Sequence, residues 1–126
     1  MPNFEKRGGL ITVVAQDGFT NNILMVAHTD KAGFLETLRT GKAVYYSTSR
    51  GERWKKGEKS GSTQTVHRIS IDCDGDAVIY TVTQGGEGAC HTGARSCFYR
   101  FATQPIMQNA TEGGLVVETH PVHEQY

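Results

Sequence analysis

Apolar residues in this chain fall in short runs separated by polar, glycine-containing segments, and only one stretch repeats them at helical spacing. That pattern calls for a sheet with little helix and excludes a helical bundle. Leu10-Ile11-Thr12-Val13-Val14-Ala15 reads as a buried strand ended by Asp17-Gly18, with Asn22-Ile23-Leu24-Met25-Val26-Ala27 as its hairpin partner. Asp30 stands as a helix N-cap, Phe34, Leu35 and Leu38 recur about one turn apart, and Gly41 stops the helix. Ala43 to Thr48 is strand-like and Arg50 to Gly61 is a polar loop. Thr63 to Ile71 and Ala77 to Val82 are strands on either side of Asp72-Cys73-Asp74-Gly75-Asp76. Gly85 to Gly88 opens another loop, Ser96 to Phe101 is aromatic and extended, and Leu115 to Val117 is a late strand. Residues from about 120 to 126 read as a loose tail. About seven strands and one helix predict a mainly β (α+β) fold, a curled sheet with a helix over one opening.

The 126 residues suit one domain, 1–126. Apolar residues at 37% together with 15 glycines supply an ordinary core and exclude disorder. Thirteen basic and thirteen acidic residues cancel, so no global field draws the chain to nucleic acid or to a membrane. No run approaches the ~20 apolar residues of a membrane span, and Met1 to Arg7 has no apolar stretch behind its charges, so a cytoplasmic location is expected. Locally the charges segregate. Arg50, Arg53, Lys55, Lys56 and Lys59 outnumber Glu52 and Glu58, whereas Asp72, Asp74 and Asp76 stand together without a cation. The cysteines are three, Cys73, Cys90 and Cys97, an odd and sparse set that argues for free thiols or metal ligands over a disulfide framework.

Three segments carry candidate chemistry. In an extended Asp72-Cys73-Asp74-Gly75-Asp76 the aspartates share one side and Cys73 faces the other. Carboxylates suit Mg²⁺ and a thiolate suits Zn²⁺. Side chains two apart on a straight strand are roughly 7 Å apart, so three carboxylates reach one ion only if Gly75 bends the chain or waters bridge. An EF-hand fails here, its sixth position being Ala77 and its twelfth Thr83; a solvated acidic turn is the alternative. In the second segment six residues separate Cys90 from Cys97, too many for a C-x-x-C knuckle. With Cys73 they make three thiolates, and His91 either completes a closed Cys₃His site or stands beside an open one as an acid/base. Three small buried side chains that happen to be cysteine are the alternative, and the H-x-E…P-C-x-x-C pattern of zinc deaminases is absent. The third segment, Arg50 to Gln64, offers Lys55, Lys56, Lys59 and Ser60 to phosphate oxygens and the indole of Trp54 to a base or ribose. It lacks Walker A spacing, and a solvated basic loop or a small RNA-binding loop competes with that reading. His28 and His67 read as packing or surface residues, and His120 and His123 as part of the tail.

In these three segments, and from about Gly8 to Ala102, the sequence resembles the phosphoribosyl-AMP cyclohydrolases of histidine biosynthesis. The resemblance rests on Tyr46-Ser47-Thr48-Ser49-Arg50, on Trp54-Lys55-Lys56-Gly57-Glu58-Lys59-Ser60-Gly61, on Asp72-Cys73-Asp74-Gly75-Asp76, and on Ala89-Cys90-His91-Thr92-Gly93-Ala94-Arg95-Ser96-Cys97-Phe98-Tyr99-Arg100. It implies a β pseudobarrel capped by one α-helix in an intertwined homodimer. It also implies Mg²⁺ on Asp72, Asp74 and Asp76, and Zn²⁺ on Cys73 from one subunit with Cys90 and Cys97 from the other. The implied reaction is the third step of the pathway, hydrolysis of the N1–C6 bond in the adenine ring of N1-(5-phosphoribosyl)-AMP to a formamidine-carboxamide ribotide, by water made nucleophilic on zinc. His91 is the candidate acid/base, and Trp54, Lys55, Lys56, Lys59, Ser60 and Arg95 are candidate substrate contacts. The expected partners are therefore a small nucleotide and a second copy of the chain, with no nucleic acid and no membrane. Two departures stand out. Ala27-His28-Thr29-Asp30 replaces the usual Ala-Tyr-Met-Asn, and Arg53 stands where an apolar residue usually precedes Trp54. The pyrophosphohydrolase domain often fused in this family is expected on a separate polypeptide.

Overall fold

The computed structural model describes residues 1–102 and the backbone of residues 103 and 116–119. In chain order the elements are β1 (Leu10–Asp17), β2 (Ile23–Asp30), α1 (Lys31–Thr40), β3 (Val44–Ser47), β4 (Glu52–Lys55), β5 (Gln64–Ile71), β6 (Ala77–Gln84), β7 (Arg100–Thr103) and β8 (Val116–Thr119). Six strands form one sheet in the order β4-β3-β2-β1-β6-β5, while β7 and β8 pair separately. All neighbours in the large sheet are antiparallel except β1 and β6. The sheet curls until its β5 edge meets the residues ahead of β3: Ala43 N donates to Gln64 O at 3.0 Å and Val66 N to Gly41 O at 2.8 Å. This is the mainly β architecture with one covering helix that the sequence predicts. Leu115 and the tail, with His120 and His123, lie outside the described residues, and the late strand is described from Val116. No helix among the described residues is long and apolar enough to cross a membrane.

Alternation decides which side faces in. Ile11, Val13 and Ala15 of β1 are buried with Val78, Tyr80 and Val82 of β6, and the register sets Val13 beside Val78 and Ala15 beside Tyr80. Each such side chain contributes on the order of 1.5–3 kcal/mol by leaving water. The helix closes over β3. Asp30 Oδ1 accepts from Gly33 N at 2.8 Å as its N-cap, and Gly41, in the left-handed region, donates to Thr37 O at 2.8 Å. The buried face differs from the expected Phe34, Leu35 and Leu38 stripe. Gly33, Phe34 and Thr37 turn inward, while Leu35 and Leu38 are 44% and 56% exposed. The reason is a polar anchor: Thr37 Oγ1 accepts from Val44 N at 3.0 Å and donates to Gly33 O at 2.9 Å, which fixes the helix rotation.

A second difference is β4, a strand inside the segment read as a loop. Its residues pair with β3 from Val44↔Lys55 to Ser47↔Glu52. Only Trp54 points toward the core, with its ring 5.2 Å from that of Tyr45, and the charged neighbours face solvent as suits an edge strand. One aromatic anchor outweighs the polar composition.

Candidate active site

β4 and the chain after it form one wall of a cleft of about 690 Å³, and residues 86–93 form the other. Trp54, Lys55, Lys56, Lys59 and Ser60 line the first wall; Cys90 and His91 line the second. The structure thus brings the basic segment to the thiol segment, Lys56 meeting Ala89 from thirty-three positions away in sequence. Lys56 spans the gap, since its ammonium donates to Ala89 O at 2.5 Å and lies 5.7 Å from the Trp54 ring centre. Burial pulls its pKa down, and the nearby thiols Cys97 and Cys90 act in the opposite sense. Arg95 is not among the residues that line this cleft. Its guanidinium lies 3.5 Å from the buried carboxylate of Asp17, which draws it to the start of the β1–β2 turn.

The thiol loop is a short hairpin. Ala89 N donates to Arg95 O and Cys90 N to Ala94 O, both at 3.1 Å, and Gly93 N closes a turn on Cys90 O at 3.0 Å. Cys97 N donates to Leu24 O at 2.7 Å and Ser96 Oγ to Ile23 O at 2.8 Å, which tie the loop to β2. Cys90 and Cys97 are free thiols, and each perturbs the other. Burial pushes the Cys97 thiol up to about 11, helped by the neighbouring Cys90. At Cys90 burial acts upward too, but hydrogen bonds from Thr92 and Cys97 with the Lys56 charge bring it below the ordinary thiol value. Thr92 Oγ1 donates to Cys90 Sγ at 3.0 Å. Two neighbouring thiols, one with its pKa lowered, are a donor set that would suit a soft cation. His91 Nδ1 is 4.0 Å from Cys90 Sγ, and the ring is exposed.

Asp72 to Asp76 is a tight turn, the bent case of the two that the sequence leaves open. Gly75 takes φ of +79°, a bend that L side chains resist. Asp72 Oδ1 accepts from Gly75 N at 2.8 Å and from Asp76 N at 3.1 Å, so one carboxylate shapes the turn itself. The bend brings ligand oxygens of Asp72, Asp74 and Asp76 within 4.8 Å of one another, a donor set that fits a hard divalent cation. Two residues that sequence reasoning missed answer this charge: Lys6 pairs with Asp74 and Asp76, and Arg7 Nη2 is 3.0 Å from Asp76. The Lys6 hydrogen bond holds the Asp74 carboxyl down to about 2. The only signal in the sequence was an unassigned basic pair near the start of the chain.

Cys73 is exposed on this turn. The turn and the thiol loop lie at opposite ends of β6, whose eight residues span roughly 26 Å at ~3.3 Å each. Among the described residues Cys73 therefore does not join Cys90 and Cys97 within one chain.

The two departures from the family pattern meet in space. His28 pairs with Tyr46, and Tyr46 with Arg53, across three strands. Arg53 Nε lies 3.1 Å from Asp30 Oδ2 while the other oxygen of that carboxylate caps the helix.

Comparison with known proteins identifies the same family from outside the structure. The family model described as phosphoribosyl-AMP cyclohydrolase matches residues 25–99. A phosphoribosyl-AMP cyclohydrolase of Desulfotalea psychrophila is 46% identical over 123 residues, 97% of this chain and 91% of that protein. Those of Syntrophotalea carbinolica and Geobacter sulfurreducens are each 52% identical over 97 residues, 77% of this chain and 78% of theirs.

Proposed function

This chain belongs to the phosphoribosyl-AMP cyclohydrolase family, and from that premise we propose how its cleft opens the adenine ring of phosphoribosyl-AMP in histidine biosynthesis. The observation that carries the reading is the facing of a lysine- and tryptophan-bearing wall by the Cys90 thiol with His91 beside it. The reaction adds water across a cyclic amidine: an oxygen–C6 bond forms, N1–C6 breaks, and a proton reaches N1. Exposed Lys55, Lys59 and Ser60 with Lys56 take the phosphate ends of the nucleotide, and the Trp54 indole offers its face to a ring. His91 takes a proton from the attacking water and returns it to N1, the general acid–base role most often filled by an imidazole. Arg95, held by Asp17, is left out of this set.

Zn²⁺ on Cys73, Cys90 and Cys97 would supply an acidified water, and Mg²⁺ on Asp72, Asp74 and Asp76 would offset phosphate charge. One subunit cannot assemble that thiolate set, because β6 holds Cys73 far from the other two. A second copy provides the missing ligand, so the working unit is a homodimer of single-domain chains, each site drawing on both. An apolar patch on the outer face supports such an association. Val14 sits between Val26 and Ile79 in register, and the latter two are 47% and 37% exposed. A biosynthetic enzyme acting on a free nucleotide belongs in the cytoplasm.

Complementation tests the reading. C73S and C90S homodimers should each lack zinc at the site and turnover of phosphoribosyl-AMP, followed by the absorbance change on ring opening, with AMP and adenosine as controls. Refolding the two together gives hybrids with one intact site, restoring about a quarter of wild-type sites for random pairing. Zero recovery from a mixture of dimers refutes the shared site, and a wild-type protein inert toward phosphoribosyl-AMP refutes the activity.

A further inference from the structure

Behind the cleft runs a chain of amides, buried at Gln64 and half-buried at Gln84, that none of the chemistry above uses. Tyr45 Oη donates to Gln64 Oε1 at 2.5 Å, and Gln64 Nε2 donates to Gln84 Oε1 at 2.8 Å. Gln84 Nε2 then donates to Ser62 O and to Gly85 O, each at 3.0 Å, with Thr63 O a longer third acceptor at 3.4 Å. Tyr45 and Gln64 are fully buried. The direction of the chain is fixed at both ends. A phenol starts it as a donor, and three main-chain carbonyls end it, so turning the Gln84 amide around would set its oxygen against theirs.

The end of this chain lies where the two walls of the cleft meet. Ser62 finishes the basic wall and Gly86 begins the thiol wall, and both line the cavity. Gly85 N donates to Thr63 O at 2.8 Å, joining the same two segments through the backbone. Gln84 adds a side-chain hydrogen bond to each, and Gln64 and Tyr45 brace it against the core.

We propose that Gln84, braced by Gln64, is a positioning residue for the ring-opening reaction, setting the separation of the phosphate-binding wall from the thiol wall. Gln84 is not among the residues that line the cleft, so it acts through the main chain. The inference rests on the cyclohydrolase reading. A largely buried amide pair is not needed for packing, since apolar groups of the same shape are nearly neutral replacements for two hydrogen-bonded partners. What an apolar pair lacks is a donor for loop carbonyls. Releasing them lets the walls shift, and a misplacement near 1 Å costs on the order of 100-fold in rate while each wall keeps its own contacts.

The test uses Q84M, Q64M and the double variant as metal-loaded, purified protein. Q84M should lose at least tenfold in kcat with KM changed less than threefold and zinc content unchanged. The double variant should be no worse than the worse single, because the amides act as one unit. Amide hydrogen exchange should accelerate in residues 57–63 and 85–93 together. A folded Q84M with wild-type kcat overturns the proposal, as do independent multiplicative losses or exchange that rises on one wall only. If Q84M does not fold, Y45F, which removes one hydroxyl from the same chain, should lower kcat threefold or more, and an unchanged kcat there overturns it equally. An inactive wild-type protein would instead sink the cyclohydrolase reading, with the exchange measurement still deciding whether Gln84 joins the walls.

Discussion

Replacing Gly88 by alanine should cost this protein its thiol pair while leaving the barrel folded. Gly88 is buried with φ of +153°. A Cβ there would lie 2.3 Å from Ala94 O and 2.7 Å from both Ala94 C and Arg95 Cα. All three are backbone atoms, so no rotamer change relieves the overlap. Ordinary contact starts at 3.4 Å, and the facing segment must retreat by about 1 Å. That opens the two 3.1 Å hydrogen bonds from Ala89 N and Cys90 N to beyond bonding distance. Two bonds at about 1 kcal/mol each and a strained backbone at about 1–3 kcal/mol sum to roughly 3–5 kcal/mol. The cheapest escape is local opening of the hairpin that holds Cys90 near Cys97. At the proposed zinc site the affinity, measured by competition with a chromophoric chelator, should therefore fall about 150- to 5000-fold. G61A is the control: φ is +81° with nothing within 4 Å, so it costs only about 1 kcal/mol of conformational strain and keeps zinc. G88A with wild-type zinc affinity, or G61A with an equal loss, would refute the steric reasoning.

Two further outcomes follow from the sheet. D30N keeps the helix cap and loses the Arg53 ion pair, so urea denaturation should show a loss of about 0.5 kcal/mol in the native background and none in an R53L background; equal losses in both would show the two departures to be independent. Burial raises the Tyr80 pKa from 10.0 to about 12, so the fold prefers the neutral phenol. That preference is fully expressed below pH 10 and is lost as pH rises from 10 toward 12, worth on the order of 2–3 kcal/mol. Denaturation at pH 8, 10 and 11.5 should show this slope in the wild type and a shallower one in Y80F, and an equally steep fall in Y80F would exclude Tyr80 as its source.

Much of the frame was legible locally. The β1–β2 hairpin, the Asp30 and Gly41 helix ends and the β5–β6 hairpin each follow from residues within a few positions of one another. The family motifs were equally legible, because they are contiguous words. What escaped depends on distant partners. Trp54 makes β4 a strand only because Tyr45 is there to receive it, and Thr37 rotates Leu35 and Leu38 outward only because Val44 N needs an acceptor. Arg95 contacts Asp17, seventy-eight positions earlier.

Periodicity and turn chemistry in the amino-acid sequence by themselves determined most of the strands (β4 excepted), where the helix starts and stops, and which residue types are available to hold metals and phosphate. Only the tertiary structure decided their grouping: three carboxylates brought together by one bend, lysines set across from thiols, and Cys73 kept at the far end of β6 from the other two. The physical reason is range. Backbone propensity acts over a few residues, whereas hydrogen bonds, burial and sheet register join side chains that the chain itself keeps far apart.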